Sequence, residues 1–298
     1  MQKKQFPNEQ TLRFLCIGNS HTIDATHLLY EVFSKEMPEQ KIHIGNMYYS
    51  GCTISAHLDF AAKNAPAYWY CKNFDGIWDV RKAVPLTLPF EEESWDVVML
   101  HEMNLAALRS KIYKQGNYAG DLMDYVNAKN GKTPEYLWNF PWANPTQPEF
   151  FEPPYGAPKG WTIWYTLRAD FNYGTMAKKL VEKVEEHVLG KYPLAGVAPT
   201  GTAFYYIRNV LGQDEKLIYR DYTHATDFGR LVAAYIWYAT LTGQTQIDAV
   251  KVDQIPAVLR VNTSDRDKAL PITQQMKEIL LEAVNYALKY PMTIPDNQ

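Results

Sequence analysis

Two short signatures at opposite ends of the chain hold residue types that together could carry out acyl-transfer chemistry. They are Gly18-Asn19-Ser20-His21, straight after the apolar run Leu12 to Ile17, and Asp221-Tyr222-Thr223-His224. A serine where a strand turns into a helix exposes its hydroxyl and sets its own N–H at a helix N-terminus, which favours developing negative charge. The hydroxyl is a weak nucleophile at neutral pH and reacts when a neighbouring imidazole takes its proton. His224 is the candidate base, and Asp221, three residues earlier, is the carboxylate that can hold the ring in one tautomer. Each signature alone has a plainer explanation: Gly-Asn-Ser before a helix makes a turn and an N-cap, and Asp-x-x-His makes a structural hydrogen bond. Their combination in this order is what points to a nucleophile, a base and an orienting group.

Residues this far apart need a framework that brings them together. Leu12 to Ile17, about Lys41 to Tyr48 and Asp96 to Leu100 read as buried strands, and Ala195 to Ala203 as a last strand and its loop. Helical spacing of apolar residues follows at Thr26 to Phe33, Thr53 to Ala62, Met176 to Leu189, Phe204 to Val210 and Leu231 to Leu241, with a closing amphipathic helix at Gln274 to Tyr290. Alternation of this kind predicts an α/β fold, a three-layer α/β/α sandwich with a mostly parallel central sheet. Ligands bind such sheets at the C-terminal strand ends, where Ser20, Gly51 and Asn104 all fall. One domain is expected over residues 1–298. It should carry a small hairpin at about 69–90 and an aromatic, proline-rich insertion at about 116–174 that packs over the active-site edge.

The blocks resemble those of the SGNH or GDSL-like hydrolases, within them a bacterial branch with Gly-Asn-Ser in the first block. Gly18, Asn19 and Ser20 match that block, which implies Ser20 as nucleophile and first oxyanion-hole donor. Tyr48-Tyr49-Ser50-Gly51-Cys52 stands in the place of the second block and implies the Gly51 N–H as a second donor. His101-Glu102-Met103-Asn104 stands in the place of the third, where the family reads Gly-x-Asn-Asp; Asn104 is then the implied third donor, with Glu102 in place of the glycine and Leu105 in place of the aspartate. Asp221 and His224 match the fourth block. The resemblance also implies a flavodoxin-like sheet order. Donors placed for a tetrahedral oxyanion in a dry site contribute on the order of 10²–10³ in rate apiece.

Composition narrows the function. A net charge of −3 with 46% hydrophobic residues gives a sizeable core and no electrostatic footprint for nucleic acid or an anionic membrane. Cys16, Cys52 and Cys71 are an odd number without metal-ligand spacing, and read as packing residues. His101-Glu102 begins like a zinc motif, but Leu105 stands where the second histidine would be, and His21, His27, His43, His57 and His187 show no ligand spacing. No metal and no cofactor are expected, and no Gly-rich phosphate loop is present. No run is long enough to span a membrane, and Met1 to Gln10 is polar without an apolar leader core, so a cytoplasmic protein is expected, or an exported one whose leader has been removed. Oligomeric state is not legible.

These readings predict a serine esterase acting on short acyl esters, O-acetyl groups on carbohydrates above all. Aromatic rings suit sugars, so Trp138 and Trp142 of the insertion join His21, His101 and Glu102 as candidate substrate-binding residues. Two alternatives use the same residues: an acyltransferase, in which an alcohol replaces water, and a carbohydrate-binding protein on a hydrolase fold that has lost efficient catalysis.

Overall fold

Apolar runs without alternation belong to strands covered on both faces, and the computed structural model puts them in the middle of one sheet. It describes residues 11–154, 156–158, 160–263 and 266–295; Met1 to Gln10, discussed above as a possible leader, lies outside the described residues. The strands are β1 (Leu12–Gly18), β2 (Ile42–Tyr48), β3 (Tyr68–Asn73), β4 (Trp78–Val84), β5 (Val97–Leu100), β6 (Glu135–Asn139) and β7 (Leu194–Ala198). They form a seven-stranded sheet in the order β4-β3-β2-β1-β5-β6-β7. β2, β1, β5, β6 and β7 run parallel, and β3 and β4 extend the β2 side as an antiparallel hairpin. A second two-stranded ribbon, β8 (Val258–Thr263) with β9 (Arg266–Pro271), stands apart.

The connection from β1 steps to one side, to β2, and the later connections step to the other, to β5, β6 and β7. Right-handed crossovers therefore cover both faces. On one face Ser20–Thr26 and Leu29–Glu36 pack against the Asp227–Thr242 helix, which also meets Gln274–Lys289; elsewhere Ile54–Ala62 packs with Ala119–Asn130. Asp227–Thr242 is buried all round beyond its first turn, as its apolar sequence requires. Phe14 of β1 meets Trp237 edge-on, ring centroids 5.8 Å apart.

The segment 116–174 differs from the expected insertion. It contains the helix Ala119–Asn130, the interior strand β6 and the helix Trp161–Ala169, and only its middle is irregular. The aromatics explain why: Tyr136, Trp138, Trp142 and Tyr165 are all buried, so this richness is that of a central strand and its cover. The expected hairpin is β3–β4, and its turn is closed by the Gly76 N–H donating to Asn73 Oδ1 at 2.7 Å.

The chain after β6 is held tightly. A methyl group on Gly201, in the helix Thr200–Tyr205, would lie 2.3 Å from the Pro141 carbonyl oxygen and 2.7 Å from the Phe140 ring. Gly201→Ala is therefore expected to lower unfolding free energy by about 1–3 kcal/mol, the range for an overpacked core, read as a lower urea midpoint at unchanged slope.

Candidate active site

Ser20 follows β1 at the start of the Ser20–Thr26 helix. Asn19 is the N-cap: its Oδ1 accepts from the His21 N–H at 3.1 Å, and its Nδ2 donates to the Cys52 carbonyl at 3.0 Å. One side chain thus fixes the serine turn and ties it to the loop that carries Gly51. A methyl on Gly18 would lie 2.4 Å from Thr22 Cγ2 and 3.3 Å from His101 Cβ, so the absent side chain lets β1 and its helix close up. Gly51 has φ +60, favourable for glycine, with the Tyr49 N–H donating to the Gly18 carbonyl and the Cys52 N–H to that of Tyr49, both at 3.2 Å. Among the described residues, nothing accepts from the N–H of Ser20 or of Gly51.

His224 Nδ1 meets Asp221 Oδ2 at 2.8 Å and Oδ1 at 3.0 Å. The N–H groups of Thr223 and His224 donate to Oδ1 at 2.9 and 2.8 Å. Burial raises the Asp221 pKa, but the His224 ring and these N–H groups outweigh it and hold the carboxyl below its ordinary value. A carboxylate at Nδ1 fixes the proton there and leaves Nε2 as the free acceptor.

Asp24 joins the two ends of the chain. Fully buried on the serine helix, it accepts from Arg220 at 2.9 Å, Arg230 Nε at 2.8 Å and the Ala225 N–H at 2.9 Å. All three partners flank His224. Burial raises the Asp24 pKa, and Arg220 and Arg230 outweigh it, so the carboxyl lies below its ordinary 3.8.

Ser20 and His224 line the same cavity, about 780 Å³, without a hydrogen bond between them. The serine helix contributes Ile23, Thr26 and His27, the hairpin Trp69, Cys71, Trp78, Val80 and Lys82, and Tyr48 and Arg220 add to the wall. Gly51 lies three residues past Tyr48 on an exposed turn; neither it nor Asn104 lines the cavity.

The Asn104 amide is committed elsewhere. Its Nδ2 donates to Asn144 Oδ1 at 3.0 Å and the Trp142 carbonyl at 3.2 Å, and its Oδ1 accepts from the Leu105 N–H at 2.8 Å. Nor do the five residues expected to touch substrate reach it, since His21, His101, Glu102, Trp138 and Trp142 are all buried. Trp138 is a core residue of β6. Trp142 stacks on His21 with centroids 4.0 Å apart and donates from Nε1 to the Thr223 carbonyl at 2.8 Å. His21 Nε2 bonds Thr223 Oγ1 at 3.0 Å. Burial lowers the pKa of His21 well below its ordinary value and that of His101 to about 3, so both are neutral at pH 7. His101 pairs through Nδ1 with Asn139 at 3.1 Å. Glu102 accepts from the Ile54 N–H at 3.1 Å, the Met103 N–H at 2.8 Å and the Tyr118 hydroxyl at 2.9 Å, and burial pushes its pKa up to about 7. These side chains brace the loops on which Ser20, Gly51 and His224 sit. Cys52 is buried too, with its thiol pushed up by burial, which removes it as a nucleophile at neutral pH.

Sequence reading missed Asp24, Tyr48, Trp69, Trp78, Lys82 and Arg220. A signal existed for the hairpin: residues 69 and 71, then 78, 80 and 82, alternate, and alternate strand residues share a face. Pairing of Trp69 with Lys82 and of Cys71 with Val80 puts all five on one face. Asp24 carried no such signal.

Replacing Asp24 removes the anion but leaves its cations. Asp24→Asn is expected to cost about 3–5 kcal/mol of stability at pH 7, the range for breaking a buried ion pair from one side. Because the folded pKa is depressed, this stabilisation is complete above the ordinary value and is lost as the pH falls through the lowered folded value. Urea melts at pH 7 and below pH 4 should show the gap between wild type and variant narrowing in acid.

No curated protein matches the chain. A crystal structure of a DUF4886 family protein from Bacteroides uniformis is similar at TM-score 0.75 and 22% identity, covering 96% of this chain and 98% of that one. Axe2, an acetylxylan esterase from Geobacillus stearothermophilus, is similar at TM-score 0.45 and 12% identity, covering 77% of this chain and 94% of its own. Identities this low concern the fold alone. The family described as "Domain of unknown function (DUF4886)" matches residues 13–257, the greater part of the sequence, and the chain belongs to that family.

Proposed function

We propose that the protein is a serine esterase of the SGNH type that hydrolyses short acyl esters, O-acetyl groups on carbohydrates among them. The observation that carries this reading is the Asp221–His224 pair, whose free Nε2 belongs to a ring lining the same cavity as Ser20. In the reaction, Ser20 Oγ attacks the ester carbonyl while His224 Nε2 takes its proton. The tetrahedral oxyanion collapses, the alcohol leaves with the proton from Nε2, and water repeats the sequence on the acyl-enzyme. Catalytic hydrogen bonds are often long before substrate binds, so the gap between Ser20 and His224 is compatible with this role.

The oxyanion donors in this reading are the N–H groups of Ser20 and Gly51, which have no other acceptor among the described residues and sit on loops joined by Asn19. Asn104 acts as a brace. Its two acceptors belong to the segment that holds the His224 loop, since Asn144 Nδ2 in turn donates to the Tyr222 carbonyl at 2.7 Å.

Ser20→Ala is expected to abolish hydrolysis of short acyl esters, a fall of about 10⁴-fold or more, with the thermal midpoint unchanged, and to abolish labelling by a fluorophosphonate probe. Wild-type turnover in that variant would place the nucleophile elsewhere. Asp221→Asn should lower kcat by up to about 10⁴-fold through the tautomer. Asn104→Ala separates brace from donor. A brace costs about 1–3 kcal/mol of stability as buried partners lose their bonds, whereas a kcat lowered about 10²-fold at unchanged stability would restore the oxyanion role.

A further inference from the structure

The cavity is far larger than a short acyl group requires; about 780 Å³ lies in the range that holds a whole small-molecule ligand. Its wall opposite the serine helix is the hairpin face. Trp69 lies 42% exposed there with Lys82 Nζ 4.1 Å from its ring centroid, and the Tyr48 ring meets it edge-on at 5.7 Å. Two lining residues, His27 and Trp78, carry buried ring nitrogens, Nε2 and Nε1, without hydrogen-bond partners among the described residues. Trp78 Nε1 can only donate. His27, its pKa lowered to about 4 by burial and then by Arg230, is neutral at pH 7 and offers one donor and one acceptor.

Resting on the esterase reading, we propose that this hairpin face is the subsite for the alcohol half of the ester and that it takes a polyhydroxylated ring, a pyranose or furanose. A flat indole beside a cation and two unsatisfied ring nitrogens matches a ligand with an apolar C–H face and hydroxyls at its edge. The nitrogens are already shielded from water, so a hydroxyl gives them a partner and an alkyl chain gives them none. Trp69 supplies the stacking surface. Trp78 Nε1 and His27 Nε2 select for hydroxyls.

The test compares kcat/KM for 6-O-acetylglucose, which keeps its other hydroxyls free, with ethyl acetate and hexyl acetate in a pH-stat. The wild type should favour the sugar ester. Trp69→Ala should lower the ratio of sugar-ester to ethyl-acetate kcat/KM by about tenfold, as one aromatic contact is lost, with KM carrying most of the change. Trp78→Phe, which keeps a ring but removes the N–H, should lower the same ratio. An unchanged ratio in both variants overturns the subsite, and a wild-type preference for hexyl acetate overturns its ligand class. Calorimetric binding of 6-O-acetylglucose to Ser20→Ala protein reads the subsite without chemistry. Binding that Trp69→Ala weakens upholds the subsite even if the wild type hydrolyses no ester, and only the esterase reading then falls. Absent binding beside normal ethyl acetate turnover overturns the subsite alone.

Discussion

A carboxylate with no access to water survives as an anion only where opposite charge and hydrogen-bond donors converge on it. Asp24 is such a group, and its two guanidinium partners and one N–H come from either side of His224. The serine helix belongs to the first strand of the sheet, whereas the histidine loop lies some two hundred residues later, with most of the fold between them. Sliding that loop against the helix would strand a buried negative charge. The observed arrangement satisfies Asp24, Arg220 and Arg230 together, and in it Ser20 and His224 share a cavity. Arg230 is also bound by Asp227 at 2.8 Å, so the clamp continues into the first turn of the buried Asp227–Thr242 helix.

Polar satisfaction supplies the second constraint. The segment after β6 is buried, so its donors and acceptors must find protein partners. Several of them lie on the histidine loop. Trp142 takes the Thr223 carbonyl, Asn144 the Tyr222 carbonyl, and Asn104 holds both of these braces in place. His21, next to Ser20 in sequence, turns inward and binds the Thr223 hydroxyl. Functional-looking residues near the Ser20 turn thus serve to hold the His224 loop. The same logic fits Glu102, which accepts the Ile54 N–H just beyond the Gly51 loop.

The sequence disclosed most where a local rule decides the outcome. Apolar runs read as buried strands at β1, β2 and β5; the Gly-Asn-Ser turn reads as a helix start because the short polar side chain of Asn19 caps a free N–H. The two signatures that suggested a serine and a histidine–carboxylate pair face one cavity. What stayed hidden depends on direction. Trp138 and Trp142 look like a binding platform in one dimension, yet the first lies in an interior strand and the second under the histidine loop. Taking 116–174 as external followed from counting aromatics, and composition cannot distinguish a core strand from a loop cover. Asp24 offered no motif, because its partners lie across the whole chain.

The position of the cavity follows from how the two kinds of strand are covered. Parallel strands are joined by crossovers that lay helices on both faces, but an antiparallel hairpin needs no crossover and can leave one face open. The serine helix covers β1 and β2, whose Asn46 donates to Thr26 Oγ1 at 3.0 Å. On β3, Tyr68 and Tyr70 are buried while Trp69 between them stays exposed, so no helix extends over its side of the hairpin. The cavity is the step where the helical layer ends and the sheet continues. β1 ends beside that step, so the serine turn at its C-terminal tip opens into it. Trp69 and Lys82 on that face are not enclosed by the core, and there a tryptophan and a lysine can be chosen by what enters.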